Sequence, residues 1–349
     1  MVDYPSFPGG YNTFVKSHEA TNHLKIDFSR NVNSFPLNKY MQLLPVKKST
    51  GYYLKLTVEE AGRILNPTTL SDFIWHDGEP RPERVEGQES FQWLEYRTTR
   101  YDFGFQLGDK SIDQASWDLL ETHSRIKAQQ AMTARTQAAI NALTTSGNYD
   151  STHVSAVASV SGNTGTWAQS TTQRQDIRRS ILSAASIIKK DVLGVTKTGD
   201  LILVMGPDTA IAISECQEII DHVKHSPQAL GQIKGDLPGH NAEWNLPDHL
   251  YGVQIVVEDT VKTTTNKGAT TSKGYVLGSG TAVLVSRPGD LVSPGEGPSF
   301  STAMIFAYEE MTVETLRQVD HRRVSGHVVD DYAVVVTAPA TGFLFTSAV

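Results

Sequence analysis

The sequence predicts an α+β chain in which an α/β unit is inserted into a second unit built around one long helix. Three observations predict it. Asp109 to Ser146 contains no glycine or proline and is bracketed by Gly108 and Gly147, as an uninterrupted helix would be. Residues 166–290 alternate helical and strand-like patterns, the signature of an α/β unit. Two other segments, 1–45 and 68–108, carry many aromatics but cannot close a core of their own.

Composition narrows the class. At 349 residues the chain suits two to three units of roughly 100–200 residues each. With 39% apolar residues and 27 glycines it is neither collagen-like nor disordered. A net charge of −7 argues against a dedicated nucleic-acid binder. The single cysteine, Cys216, excludes a scaffold stapled by internal disulfides. No apolar run approaches the ~18 residues of a membrane span, and Met1-Val2-Asp3-Tyr4-Pro5 lacks the layout of a signal peptide. The expectation is a soluble intracellular product.

Residues 1–45 scatter Tyr11, Phe14, Phe28, Phe35 and Tyr40 among turn formers such as Pro5, Pro8, Gly9, Gly10, Asn31, Asn33, Pro36 and Pro45. They read as an arm that packs on another surface. Residues 1–50 hold six Lys/Arg against three Asp/Glu, a weak hint of an anionic neighbour. Thr57 and Glu60 have capping-box spacing, and Asn66-Pro67 ends the helix they start. Phe73/Trp75, Phe91/Trp93 and Phe103/Phe105/Leu107 then alternate with other residues at period two, which predicts strands. Between them, the charged Asp77–Gly87 segment makes 68–108 a long ribbon with a polar tip.

The helix from 109 onward holds seven alanines together with Leu119, Leu120, Ile126, Ile140 and Leu143. Over about 30 residues it would span about 45 Å. Its apolar face is diffuse, which fits a spine better than a coiled coil. The Ser/Thr/Gly/Asn-rich stretch 144–173 reads as a crossover. Thr172 and Gln175 then have capping-box spacing, and Ile177, Ile181, Ala185 and Ile188 share one helical face. Leu201–Met205 is a buried strand, and Gly206-Pro207-Asp208 turns it into a helix that Pro227 ends. Gln254–Val257 and Tyr275–Val285 add strands around the polar loop Lys262–Gly274. Thr302–Tyr308, Val324–Asp330 and Tyr332–Val336 are final strands, expected to return to the long-helix unit and complete its sheet.

No catalytic constellation emerges. Glu218, His222 and His225 share a helical face and could offer a metal one carboxylate and two imidazoles. More often such groups decorate a solvated helix end. Gly278-Ser279-Gly280 starts like a dinucleotide fingerprint but lacks the third glycine and lies between strands, where a bend is expected. Ser186 and Lys189 match only a chance Ser-x-x-Lys spacing. Cys216 stands beside Glu215 and Glu218, which disfavour a thiolate. Asp330-Asp331 and His321-Arg322-Arg323 are charge clusters without an assignable partner. The chain is therefore expected to be no enzyme, with no catalytic, cofactor or metal site.

The order of parts resembles the major capsid proteins of tailed phages (Caudoviricetes), with the Hong Kong 97-type fold. His222–Lys234 is similar to the run after that family's A-domain helix, and Leu250–Val257 to its strand opening with aromatic-Gly-Val. Pro298-Ser299-Phe300 and Thr341–Phe345 are similar to segments of capsid relatives. The resemblance implies an N-terminal arm (1–45), the start of the P domain (46–67) and an extended E-loop hairpin (68–108). It further implies a P domain with a long spine helix (109–165), an inserted α/β A domain (166–290) and P-domain strands (291–349).

It also implies self-assembly into hexamers and pentamers of an icosahedral head around double-stranded DNA, assembled in the host cytoplasm and resident in the virion. Portal, scaffolding and decoration proteins would be partners, and DNA contact would be non-specific; no membrane is involved. A scaffold domain of about a hundred residues has no room before the arm, so a separate scaffold or a processed precursor is implied. Some relatives join an E-loop lysine to a P-domain asparagine. Residues 56–109 lack lysine and no asparagine follows Asn266, so a shell without covalent cross-links is expected. The alternatives are an encapsulin-like nanocompartment shell and a metal-dependent α/β enzyme using Glu218, His222 and His225.

Overall fold

The computed structural model describes residues 30–56, 77–78, 91–115, 117–160, 165–168, 176–194, 196–224, 240–241, 244, 246–265, 268, 270–287 and 301–349. Helix α1 (Leu37–Tyr40) precedes strands β1 (Gln42–Pro45), β2 (Thr50–Leu56), β3 (Phe91–Arg97) and β4 (Thr99–Gly108). Helices α2 (Asp109–Gln114) and α3 (Leu119–Thr144) lead to β5 (Val154–Ala156) and α4 (Ile177–Asp191). Then come β6 (Leu201–Met205), α5 (Pro207–Ser214), α6 (Gln217–Lys224) and the short β7 (His240–Asn241), β8 (Leu246–Pro247) and β9 (His249–Leu250). The chain finishes through β10 (Val253–Val257), β11 (Val261–Thr263), β12 (Lys273–Tyr275), β13 (Ala282–Ser286), β14 (Ala303–Gln318), β15 (Arg323–Val336) and β16 (Phe343–Thr346). The architecture is α+β. None of the described helices is long and apolar enough to cross a membrane.

Contacts divide the chain into two units, one of residues 1–35, 100–134 and 309–331, the other of 36–99, 135–308 and 332–349. The larger unit is organised by a six-stranded sheet in the order β5-β16-β13-β6-β10-β9. β6 lies at its centre, parallel to β10 and antiparallel to β13, and all five of its residues are buried. A strand covered on both faces reads as a continuous apolar run, which is why Leu201–Met205 was legible. Helix α4 buries the predicted face, Ile177, Ile181, Ala185 and Ile188.

The C-terminal strand takes a different place from the one expected. β16 pairs with β13 and β5, so it completes the α/β sheet and not that of the long-helix unit. Its aromatics explain the choice: Phe345 packs 5.2 Å from the fully buried Trp167, and Phe343 lies 4.8 Å from Phe345. Trp167 N–H donates to the Ala348 carbonyl at 2.7 Å, and Ala348 N–H donates to that of Gly280 at 2.8 Å. The buried His153 ring sits between the Gly342 carbonyl (2.7 Å) and the Asp191 carboxylate (2.6 Å), tying β16 to the end of α4.

The expected single helix 109–146 is two helices. Asp118 interrupts it by capping the second: its carboxylate accepts from Glu121 N–H at 2.9 Å, the geometry of an N-cap. The 26 residues of α3 run about 39 Å. Its diffuse hydropathy has a clear origin, since the buried stripe Ala131, Met132, Arg135, Thr136, Ala139, Ile140 and Leu143 includes two polar residues. Arg135 is accommodated by laying its guanidinium 5.3 Å from the centre of the Tyr332 ring.

The ribbon also differs. β2 pairs antiparallel with β3 from Thr50↔Arg97 to Leu56↔Phe91, so the first ribbon strand begins at residue 50. β4 leaves the ribbon and lies beside β15 in the order β14-β15-β4. Val324–Asp330 and Tyr332–Val336 are one strand, β15, and the polar loop Lys262–Gly274 is a hairpin of β11 with β12. The helix predicted from Thr57, the strand at Phe73–Trp75, the Thr172/Gln175 pair, Pro227, the segment at Pro298 and the arm before residue 30 lie outside the described residues.

Candidate functional site: the ribbon and the exposed strand tips

The ribbon of β2 and β3 belongs to the larger unit and has two unlike faces. On one, Tyr96 stacks on Phe306 of β14 with ring centres 4.6 Å apart and planes within 6°, and Tyr53 lies 5.8 Å from the same ring. Gly51, the cross-strand partner of Tyr96, makes room: a Cβ there would meet the Tyr96 hydroxyl at 2.6 Å. The other face has no such anchor among its described residues. Tyr52 is 66% exposed and Trp93 65%, and their registers, Tyr52↔Glu95 and Leu54↔Trp93, set them diagonally on one face. Covering two such rings would remove about 300 Å² from water, worth roughly 7 kcal/mol before the costs of association.

The smaller unit carries a second exposed element. The outer part of β14 is exposed from Thr312 to Arg317, Val313 and Leu316 among these residues, and Val319 just past its end is exposed too. Below this tip the strands are pinned by polar contacts. Arg100 lies 3.5 Å from the buried Asp331 and 3.3 Å from Glu309, joining β4, β15 and β14. Asp102 pairs with His327 at 2.9 Å, and Arg323 donates to Gln318 and Gln106 at 2.6 and 2.9 Å. These assign partners to two charge clusters that were unexplained in sequence. On the opposite face Phe105 covers Gly326, where a Cβ would lie 2.2 Å from its ring, and stacks 5.8 Å from His123.

The residues singled out for chemistry are placed elsewhere. Glu218 accepts from Ile177 N–H at 2.8 Å, Arg178 N–H at 3.3 Å and the Tyr251 hydroxyl at 2.6 Å. Its carboxylate thus caps α4, where the backbone N–H groups are otherwise unpaired. His225 and the His222 side chain lie outside the described residues. Cys216 is buried, and burial pushes its thiol up, with the Glu218 charge adding to the effect. Ser186 and Lys189 are exposed on α4. Gly280 takes a left-handed φ of +78° in the bend between β12 and β13, the turn expected of it. Lys55 lies on β2, so the ribbon is not without lysine. The lysine-free stretch 56–109 begins one residue after it.

No protein-family model and no curated protein matches the sequence significantly. Solved structures do match. A phage-related protein from Bordetella bronchiseptica aligns at a TM-score of 0.60 and 15% identity, over 96% of this chain and 97% of that one. A chain of the bacteriophage PhiM1 mature capsid aligns at 0.52 and 11% identity, over 92% and 89%. One from Mycobacterium phage Bobi aligns at 0.51 and 12%, over 95% and 96%. At such identities the fold is what is shared, and it is shared along nearly the whole chain.

Proposed function

We propose that this chain is a shell subunit: a tailed-phage major capsid protein of the Hong Kong 97 type that builds an icosahedral head from hexamers and pentamers around double-stranded DNA. One observation carries the reading. A chain whose fold matches a capsid subunit over nine-tenths of its length holds out a ribbon anchored on one face by Tyr53 and Tyr96 and bare on the other at Tyr52 and Trp93. A neighbouring copy is the natural cover for such a face.

The rest of the reading follows from that. A scaffolding protein during assembly, a portal and decoration proteins are its partners, and the net charge of −7 suits a wall that holds DNA without sticking to it. Assembly is non-covalent: Lys55 offers a ribbon amine, but no asparagine follows Asn266 to receive it. The role needs no catalytic step, and Glu218 is already used as a helix cap. Electron microscopy of the expressed chain, with and without a co-expressed scaffold, tests the reading. Closed shells that fall apart to single chains in denaturing electrophoresis are expected. A species that stays monomeric under every assembly condition overturns it.

A further inference from the structure

Glu258 is buried just beyond the end of β10, where its N–H donates to the Met205 carbonyl at 2.8 Å. Its carboxylate accepts from the Tyr40 hydroxyl at 2.7 Å, from Thr260 N–H at 3.2 Å and from the Thr260 hydroxyl. Tyr40, itself buried, ends α1 and is followed at once by Met41 and β1. The charged and titratable groups around the cluster are Tyr40, the neighbouring Asp259 and, on the α1 side, Lys39 and Arg287. Arg287 donates to the carbonyls of Asn38 and Lys39, the latter at 2.7 Å. Arg287, through backbone carbonyls, and Glu258, through the Tyr40 hydroxyl, therefore both clamp a four-residue helix.

We propose that Tyr40, Glu258 and Thr260 form a proton-operated latch that holds α1, and with it the entry to β1, against the end of β10. A buried carboxylate must give up its hydration, and three donors compensate only in part. Burial raises the Glu258 carboxyl above its ordinary range, against the lowering pull of the Thr260 and Tyr40 hydrogen bonds, and the Asp259 charge raises it further. The folded latch thus keeps a proton that an opened, hydrated Glu258 has already lost. Its hold is complete below the ordinary carboxyl range and is lost as pH rises through the raised one. When protonated, the carboxyl donates to a hydroxyl of Tyr40 or Thr260, each of which can turn to accept. The latch stands whether or not the chain builds a shell.

Hydrogen exchange of the full-length chain tests it. The probe is the Met41 amide, which donates to the Leu37 carbonyl at 3.0 Å, read against a central β6 amide in the same sample to remove the intrinsic pH effect. Lowering pH from about 7.5 to 5 should raise relative Met41 protection at least ~3-fold in the natural chain and leave it flat in Glu258→Gln. Tyr40→Phe should lower it about tenfold at both pH values by removing the bond that ties α1 to Glu258, and full Met41 protection in this variant overturns the latch even if Glu258→Gln does not fold. An unchanging Met41 ratio in the natural chain, or the natural chain's slope in Glu258→Gln, overturns the latch.

Discussion

A leucine of strand β6 and one of the outer half of β14 meet opposite ends. Leu203 on β6 is fully buried between β10 and β13, whereas Leu316 on β14 is 61% exposed. The ribbon repeats the contrast within one hairpin, with Tyr96 stacked on Phe306 and Trp93 bare on the opposite face. Apolar content alone does not say whether a residue serves the chain's own core or stays on its surface. What separates the two is the number of neighbours the same chain supplies.

The largest effect should come from Leu203→Ala, which leaves a cavity at the sheet centre and should cost about 2–5 kcal/mol in urea denaturation. Leu316→Ala, the same chemical change, should move stability by no more than about 0.5 kcal/mol. Equal losses at both positions would break the comparison. Gly326→Ala should cost about 1–3 kcal/mol, because its Cβ runs into the Phe105 ring; adding Phe105→Leu should recover part of that loss. A smaller effect, about 1 kcal/mol, is expected for Glu218→Ala through loss of the α4 cap. Zinc should leave the melting temperature of the natural chain unmoved. A zinc-dependent rise that vanishes in Glu218→Ala would support the metal reading.

The inner elements were legible because burial imposes a period. Ile177, Ile181, Ala185 and Ile188 mark α4 at helical spacing, and the five apolar residues of β6 can only be a covered strand. The outer half of β14 has no such mark. Alternation arises when one face is buried, and Glu309–Gln318 is largely exposed on both, so Val313 and Leu316 fall out of phase. Strand β2 does carry a period, since Tyr52, Leu54 and Leu56 alternate there with Tyr53 and Lys55, but the run is short and more than half of it is polar or aromatic. The break before α3 had a signal too, since Asp118 and Glu121 have capping-box spacing. The latch at Tyr40 and Glu258 could not be read at all, because its two ends lie 218 residues apart.

Under the proposed function, the bare face of the ribbon at Tyr52 and Trp93 is an interface between copies. Sedimentation velocity with electron microscopy, on the natural chain and on Tyr52→Ala/Trp93→Ala, tests it directly. The expected result is large closed particles from the natural chain, and only small species from the double variant at an unchanged melting temperature. Particles of equal size and yield from both chains, or a variant that melts well below the natural chain, would contradict it.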